Sequence, residues 1–155
     1  LETRGQSAQT VVIITGDHGE EINDTKRNTW GHGSNFTRYQ VQVPMLIYWP
    51  GKKGTVFEHQ TSHMDIPVTF MEELFAIQNP PHTYASGQSL FDTNKRDFFI
   101  SGGFSKTAVI EKDRITVSYP TGTYEIYDQM NQELPEARLR PAIMKKVIAE
   151  LSRFQ

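Results

Sequence analysis

The sequence predicts a mixed α/β fold with a small antiparallel appendage, and three features carry that expectation. A continuous β-branched run, Thr10-Val11-Val12-Ile13-Ile14-Thr15, reads as a strand buried on both faces, as parallel sheets require. Apolar residues at 66, 70, 71, 74 and 75 repeat with the helical period. Short β-branched or aromatic runs between residues 97 and 127 are separated by Gly, Asp and Pro turns, the pattern of an antiparallel meander.

Taken in order, a polar lead over residues 1–9 gives way to the strand at 10–15. A buried strand seldom opens an α/β domain, because its parallel neighbour arrives through a crossover supplied by earlier sequence. The chain therefore reads as the rear portion of something larger. Residues 16–38 are rich in Gly, Asn, Asp and Thr, with Ile22, Trp30 and Phe36 as the only large apolar residues, and so long a loop is expected to carry function. Residues 41–49 follow as a strand that Pro50-Gly51 stops and Pro44 weakens at its start. A short strand fits 55–60. Residues 65–75 open as a helix, with Asp65 a candidate N-cap and Pro67 tolerated in the first turn, and Asn79-Pro80-Pro81 ends the segment. The meander then occupies 97–101, 107–111, 114–119 and 123–127. Residues 136–154 close the chain as an amphipathic helix, apolar at 139, 143, 144, 147, 148 and 151 and basic at 138, 140, 145, 146 and 153.

Composition bounds the chemistry. With 155 residues and no cysteine, thiol catalysis, thiolate metal sites and disulfides are excluded together. Sixteen basic against 18 acidic side chains leave a net charge of -2 and a pI near 6.2, so no general electrostatic attraction to nucleic acid is expected. No apolar run approaches the roughly 20 residues of a spanning helix.

The sharpest motif is Gly16-Asp17-His18-Gly19, directly after the first strand, where open α/β sheets place their ligands. Flanking glycines let a tight turn converge a carboxylate and an imidazole on one point, a pairing suited to zinc or manganese. The alternative is an ordinary turn started by Asp17 with a solvated His18. Trp30-Gly31-His32-Gly33-Ser34 presents a second glycine-bracketed histidine, a third metal ligand, a donor to an anionic substrate oxygen, or a loop histidine without a role. Glu20, Glu21 and Asp24 read as solvated loop charges. Ser62-His63-Met64-Asp65 fits helix capping better than a ligand set, although His63 is a candidate. His59 and His82 read as surface residues. Arg38-Tyr39 fits an anion site or a structural salt bridge. No phosphate-binding glycine loop, nucleophile elbow or His-Glu-x-x-His stretch occurs.

The order of these motifs resembles the sulfatase branch of the alkaline phosphatase superfamily. The resemblance rests on Thr15-Gly16-Asp17-His18-Gly19-Glu20, Gly31-His32-Gly33, Val43-Pro44-Met45-Leu46-Ile47 with Trp49-Pro50-Gly51, and Ser62-His63-Met64-Asp65-Ile66-Pro67-Val68-Thr69, in register over about residues 10–77. Residues 30–45, with Asn79-Pro80-Pro81 and Ser86-Gly87-Gln88-Ser89-Leu90-Phe91, are similar more narrowly to periplasmic sulfatase-like domains of Gram-negative inner-membrane proteins. That group is itself similar to lipoteichoic acid synthase and phosphoethanolamine transferases.

The resemblance implies an alkaline-phosphatase-like sheet flanked by helices, with residues 1–155 forming the C-terminal fragment of one sulfatase-like domain. Within it, 1–96 would be the core portion with the metal-site loop, and 97–155 the antiparallel subdomain and terminal helix. It implies that Asp17 and His18 bind a divalent metal (zinc, manganese, magnesium or calcium) and that His32 contacts the phosphate or sulfate of an ester or lipid head group. The nucleophile and at least one acidic ligand belong to the family's N-terminal half, so no catalytic nucleophile is expected here and the fragment alone is expected to be inactive. The same resemblance implies a parent anchored in the inner membrane by N-terminal helices, with this domain in the periplasm. Two functions follow: a metal-dependent sulfate or phosphate ester hydrolase or transferase, or a non-catalytic regulatory domain controlling lipopolysaccharide synthesis.

Overall fold

A computed structural model describes residues 1–103 and 105–154. It is mixed α/β, with small antiparallel sheets and a C-terminal helix, and it divides into two compact units: residues 1–56 with 101–138, and residues 57–100 with 139–155.

In the first unit, β1 (Val12–Thr15) pairs antiparallel with β4 (Met45–Tyr48), setting Ile14 opposite Leu46 and Val12 opposite Tyr48. This corrects the expectation of a strand buried on both faces. The β-branched run does make a strand, but its described ladder partner is antiparallel, and one face stays open with Ile14 62% and Leu46 59% exposed. The long loop after β1 contains structure of its own. A short ribbon, β2 (Glu21–Ile22) against β3 (Trp30–Gly31), is followed by a single helical turn, α1 (Arg38–Val41). The expected strand at 41–49 is therefore shorter, because residues through 41 are helical and β4 begins only after Pro44, which cannot donate to a ladder.

Residues 107–127 form the expected meander: β6 (Thr107–Glu111), β7 (Ile115–Ser118) and β8 (Tyr124–Tyr127), with Ala108 opposite Val117 and Thr116 opposite Ile126. β5 (Phe98–Gly102), where the chain passes between units, stands first in the sheet order. Ala108, Ile115 and Val117 bury together with Phe36 from the long loop, and Val41, Ile110, Tyr119 and Tyr127 pack around them. Glu125 accepts hydrogen bonds from the hydroxyls of Tyr119 (2.5 Å) and Tyr127 (2.7 Å), which hold its carboxyl below the ordinary range.

The second unit holds α2 (Asp65–Glu73) and α3 (Pro141–Leu151). Residues 55–60 form no strand, and Val56 is exposed. Asp65 is not the N-cap but the first helical residue, and it is fully buried. Its Oδ2 accepts from the Ser62 amide (2.7 Å), and its Oδ1 accepts from the Gln88 amide (3.1 Å) and pairs with Arg96. Thr69 donates its hydroxyl to the Asp65 carbonyl and accepts from the Leu90 amide at 2.8 Å, so α2 is laced to the 86–96 loop by polar groups. The terminal helix starts later than its apolar pattern suggests. Pro141 takes the first helical position, where its missing N–H costs nothing, and forces Arg140 to be extended. Among the described residues no helix is long and apolar enough to cross a membrane.

Candidate metal centre

The carboxyl end of β1 runs into the Asp17-His18-Gly19 turn, which is fastened to α1. The Gly19 amide donates to the Gln40 carbonyl at 2.9 Å, and a side chain at 19 would place its Cβ 2.3 Å from the Tyr39 carbonyl oxygen. Only glycine permits that approach.

Past the turn the backbone enters β2, and alternation sends neighbouring carboxylates to opposite sides. Glu21 points inward and is completely buried. Its Oε1 accepts from the Thr25 amide (3.2 Å) and hydroxyl, and its Oε2 accepts from Asn35 Nδ2 (2.8 Å) and Gln40 Nε2 (2.9 Å). Burial alone would raise this carboxyl's pKa, but the donors outweigh it and hold the value below the ordinary 4.5. Glu21 is thus not the solvated loop charge its polar neighbourhood suggested. It is the hub joining the ribbon, the 32–37 segment and α1.

Glu20 points outward. Glu21 stands opposite Gly31, so the antiparallel register continued by one residue sets Glu20 opposite His32. Glu20 Oε2 accepts from His32 Nδ1 at 2.9 Å, which leaves Nε2 of a neutral His32 with the lone pair. Gly31 takes φ 88° beside it, a left-handed conformation suited to glycine. The His32 ring stacks on His18 with centroids 3.8 Å apart. His18 Nδ1 lies 3.0 Å from the Gly19 carbonyl oxygen, which can only accept, so Nδ1 carries the proton and Nε2 faces outward. That Nε2 is 3.6 Å from Asp17 Oδ2. Asp17 also accepts from the His18 amide at 3.0 Å, and its own backbone amide and the nearby His18 hold its carboxyl below the ordinary range.

Two ligands at about 2.1 Å in a tetrahedral set stand about 3.4 Å apart. The Asp17–His18 separation is close to that, and one ligand atom from each of His18, Glu20 and His32 falls within 4.8 Å of the others. All four side chains reach solvent. Imidazole nitrogens already oriented by a carbonyl and a carboxylate, with oxygen donors alongside, fit a divalent cation. The structure brings His18, Glu20 and His32 together and sets Asp17 beside His18; the part of Glu20 depends on the ribbon register. His63 is exposed just before α2, and His59 Nε2 donates to the Leu90 carbonyl, 3.0 Å away. Arg38 makes no ion pair among the described residues; its guanidinium lies 5.4 Å from the Tyr39 ring centre.

The strand β1 ends in a glycine-flanked carboxylate and histidine, a second glycine-flanked histidine stacks on the first, and residues 1–74 match the sulfatase family. Sulfatases are generally metal-dependent. Along the whole chain the likeness is to the inner membrane protein YejM of Salmonella typhimurium, 28% identical over 156 residues that cover 99% of this chain and 26% of that protein. An uncharacterized protein of Haemophilus influenzae is 33% identical over 107 residues, 67% of this chain and 17% of its own length. Rat steryl-sulfatase is 28% identical over 102 residues, 58% of this chain and 18% of its own. The chain thus spans about a quarter of the length of the YejM relatives.

Proposed function

We propose that this chain supplies the metal-binding side of an active site for sulfate or phosphate esters, in the C-terminal part of a sulfatase-like domain whose parent is anchored in an inner membrane. Asp17 and His18 hold the metal. His32 contacts the ester's oxyanion, and Glu20 fixes its orientation. The convergence of His18, Glu20 and His32 within 4.8 Å at the end of β1, with Asp17 Oδ2 3.6 Å from His18 Nε2, carries this reading. The mixed nitrogen and oxygen donor set suits zinc or manganese better than magnesium or calcium. When bound, the metal neutralises charge on the transferring group and activates an oxygen nucleophile, which belongs outside this chain. His18, locked by the Gly19 carbonyl, keeps its lone pair outward; His32, locked by Glu20, keeps its Nε2 free for the ester.

A second reading is a periplasmic domain that binds a lipid head group and regulates lipopolysaccharide synthesis without turnover. The observation favouring it is that likeness to the inner membrane protein runs over 99% of the chain, whereas likeness to steryl-sulfatase covers 58%.

Titrating the full-length protein with Mn²⁺, alongside turnover of an aryl phosphate and an aryl sulfate, separates these readings. Metal binding lost in His18→Ala with turnover lost as well supports the enzyme. The same loss without turnover in the parent protein supports the regulator. Unchanged Mn²⁺ affinity in His18→Ala removes the metal assignment. The 155-residue chain alone is expected to turn over little or nothing. Robust turnover by it, abolished by Asp17→Ala, would refute the division of the site.

A further inference from the structure

Beside the cluster lies an open groove lined by Gly19 and Glu20 of the metal turn, Arg38 and Tyr39 of α1, and Val43 and Pro44 ahead of β4. Its polar groups differ in how they are used. Glu20 is engaged by His32 at 2.9 Å. Arg38 is exposed, has no ion pair among the described residues, and is steadied only by the Tyr39 ring. Tyr39, Val43 and Pro44, with Gln42 between them, give the groove an apolar side against which an organic group can pack.

The groove is held at a fixed distance from the metal turn. The Gly19 amide bonds to the Gln40 carbonyl, and Gln40 is buried with its Nε2 on Glu21 Oε2, so the base of Arg38 and the Asp17-His18 turn belong to one braced segment. A planar guanidinium presents a rigid fork that takes an oxyanion in bidentate fashion.

We propose that Arg38 is a specificity-determining residue: it binds a second anionic group carried on the same molecule as the scissile ester, on the organic side of the bond. The preferred substrate class is then an ester with an additional phosphate, sulfate or carboxylate next to an apolar portion. This inference rests on the metal-ester reading above and adds the charge requirement of the substrate.

The test uses the full-length protein loaded with Mn²⁺ and binding measured by calorimetry, with phenyl phosphate and 4-carboxyphenyl phosphate as probes that differ by one carboxylate. The wild type is expected to prefer 4-carboxyphenyl phosphate about tenfold, about 1.4 kcal/mol. In Arg38→Gln that ratio falls to about one, and Arg38→Lys, which keeps the charge but loses the planar fork, falls between. Inorganic phosphate is the third arm. If it binds alone with full dependence on Arg38, the residue serves a free anion and the same-molecule assignment is overturned. If both probes bind equally, with no change in Arg38→Gln, this inference fails while the metal-ester reading stands. If neither probe binds although Mn²⁺ does, both fail.

Discussion

Replacing Glu21 by Gln tests whether the site is held by its buried polar network. The side chain has no exposure and accepts four hydrogen bonds, two on each oxygen. Glutamine keeps the shape but has only one oxygen. If its amide nitrogen takes the Oε2 position, it faces the amino groups of Asn35 and Gln40, donor against donor. If it takes the Oε1 position, the Thr25 hydroxyl can turn to accept, but the Thr25 amide loses its partner and the bonds to Asn35 and Gln40 lose their ionic assistance. One or two buried donors left unsatisfied, plus the loss of charge, give about 2–4 kcal/mol. Urea unfolding of wild type and Glu21→Gln, with hydrogen exchange of residues 20–40, measures this. The pH dependence has a definite sign. The folded carboxyl titrates below its ordinary 4.5, so its contribution is fully present above that value and fades as pH falls through the folded one. Glu21→Gln should therefore remove part of the acid limb of the stability profile. A change within about 0.5 kcal/mol, with exchange over 20–40 unaltered, would refute the claim that this network supports the centre.

Gly19→Ala puts a methyl group 2.3 Å from the Tyr39 carbonyl oxygen, so the turn must leave α1; a loss of about 1–3 kcal/mol and weakened Mn²⁺ binding are expected, read by thermal unfolding and metal titration. Asp65→Ala strands the Arg96 charge and the Ser62 and Gln88 amides, and should cost about 3–5 kcal/mol by denaturant titration, leaving unoriented the loop that follows α2. Phe36→Ala opens the core shared with Ala108, Ile115 and Val117, at about 3–5 kcal/mol, and should lower Mn²⁺ affinity although Phe36 is not itself a proposed ligand.

The parts of the fold that could be read from the residues are those fixed by local signals. The period at 66–75 gives α2, and Gly103, the Asp113 turn and Gly122 separate strands whose bounds fall within about a residue of those expected. What misled was context. The run at 10–15 has the composition of a fully buried strand, but composition does not select the partner, and the described partner is antiparallel with one face open. Helical periodicity over 136–154 concealed Pro141, which sets the start of α3. Glycine brackets marked His18 and His32, whereas Glu20 carries no bracket of its own. Its pairing follows from the β2–β3 register, and that depends on a turn in which Asn23, Lys26 and Asn28 all adopt left-handed backbone.

The antiparallel meander is more than an appendage to the fold. In sequence it is an appendage, separated from the Asp17-His18 turn by α2 and its loops. In the structure, residues 101–138 share a compact unit with residues 1–56. Phe36, between His32 and α1, is one of the residues that fill the meander's core; Lys106 donates to the Ser34 carbonyl at 2.7 Å and lies over the Phe36 ring; and Arg27, at the tip of the ribbon, donates to Gln132 at 2.9 Å. The segment carrying His32 is thus held from one side by the buried Glu21 hub and from the other by the meander. An exposed site made of polar side chains on a long loop could not keep two imidazoles stacked without such support, because ordering that loop costs about 1–2 kcal/mol per residue. The apolar burial that offsets this cost comes largely from strands that contribute no proposed ligand.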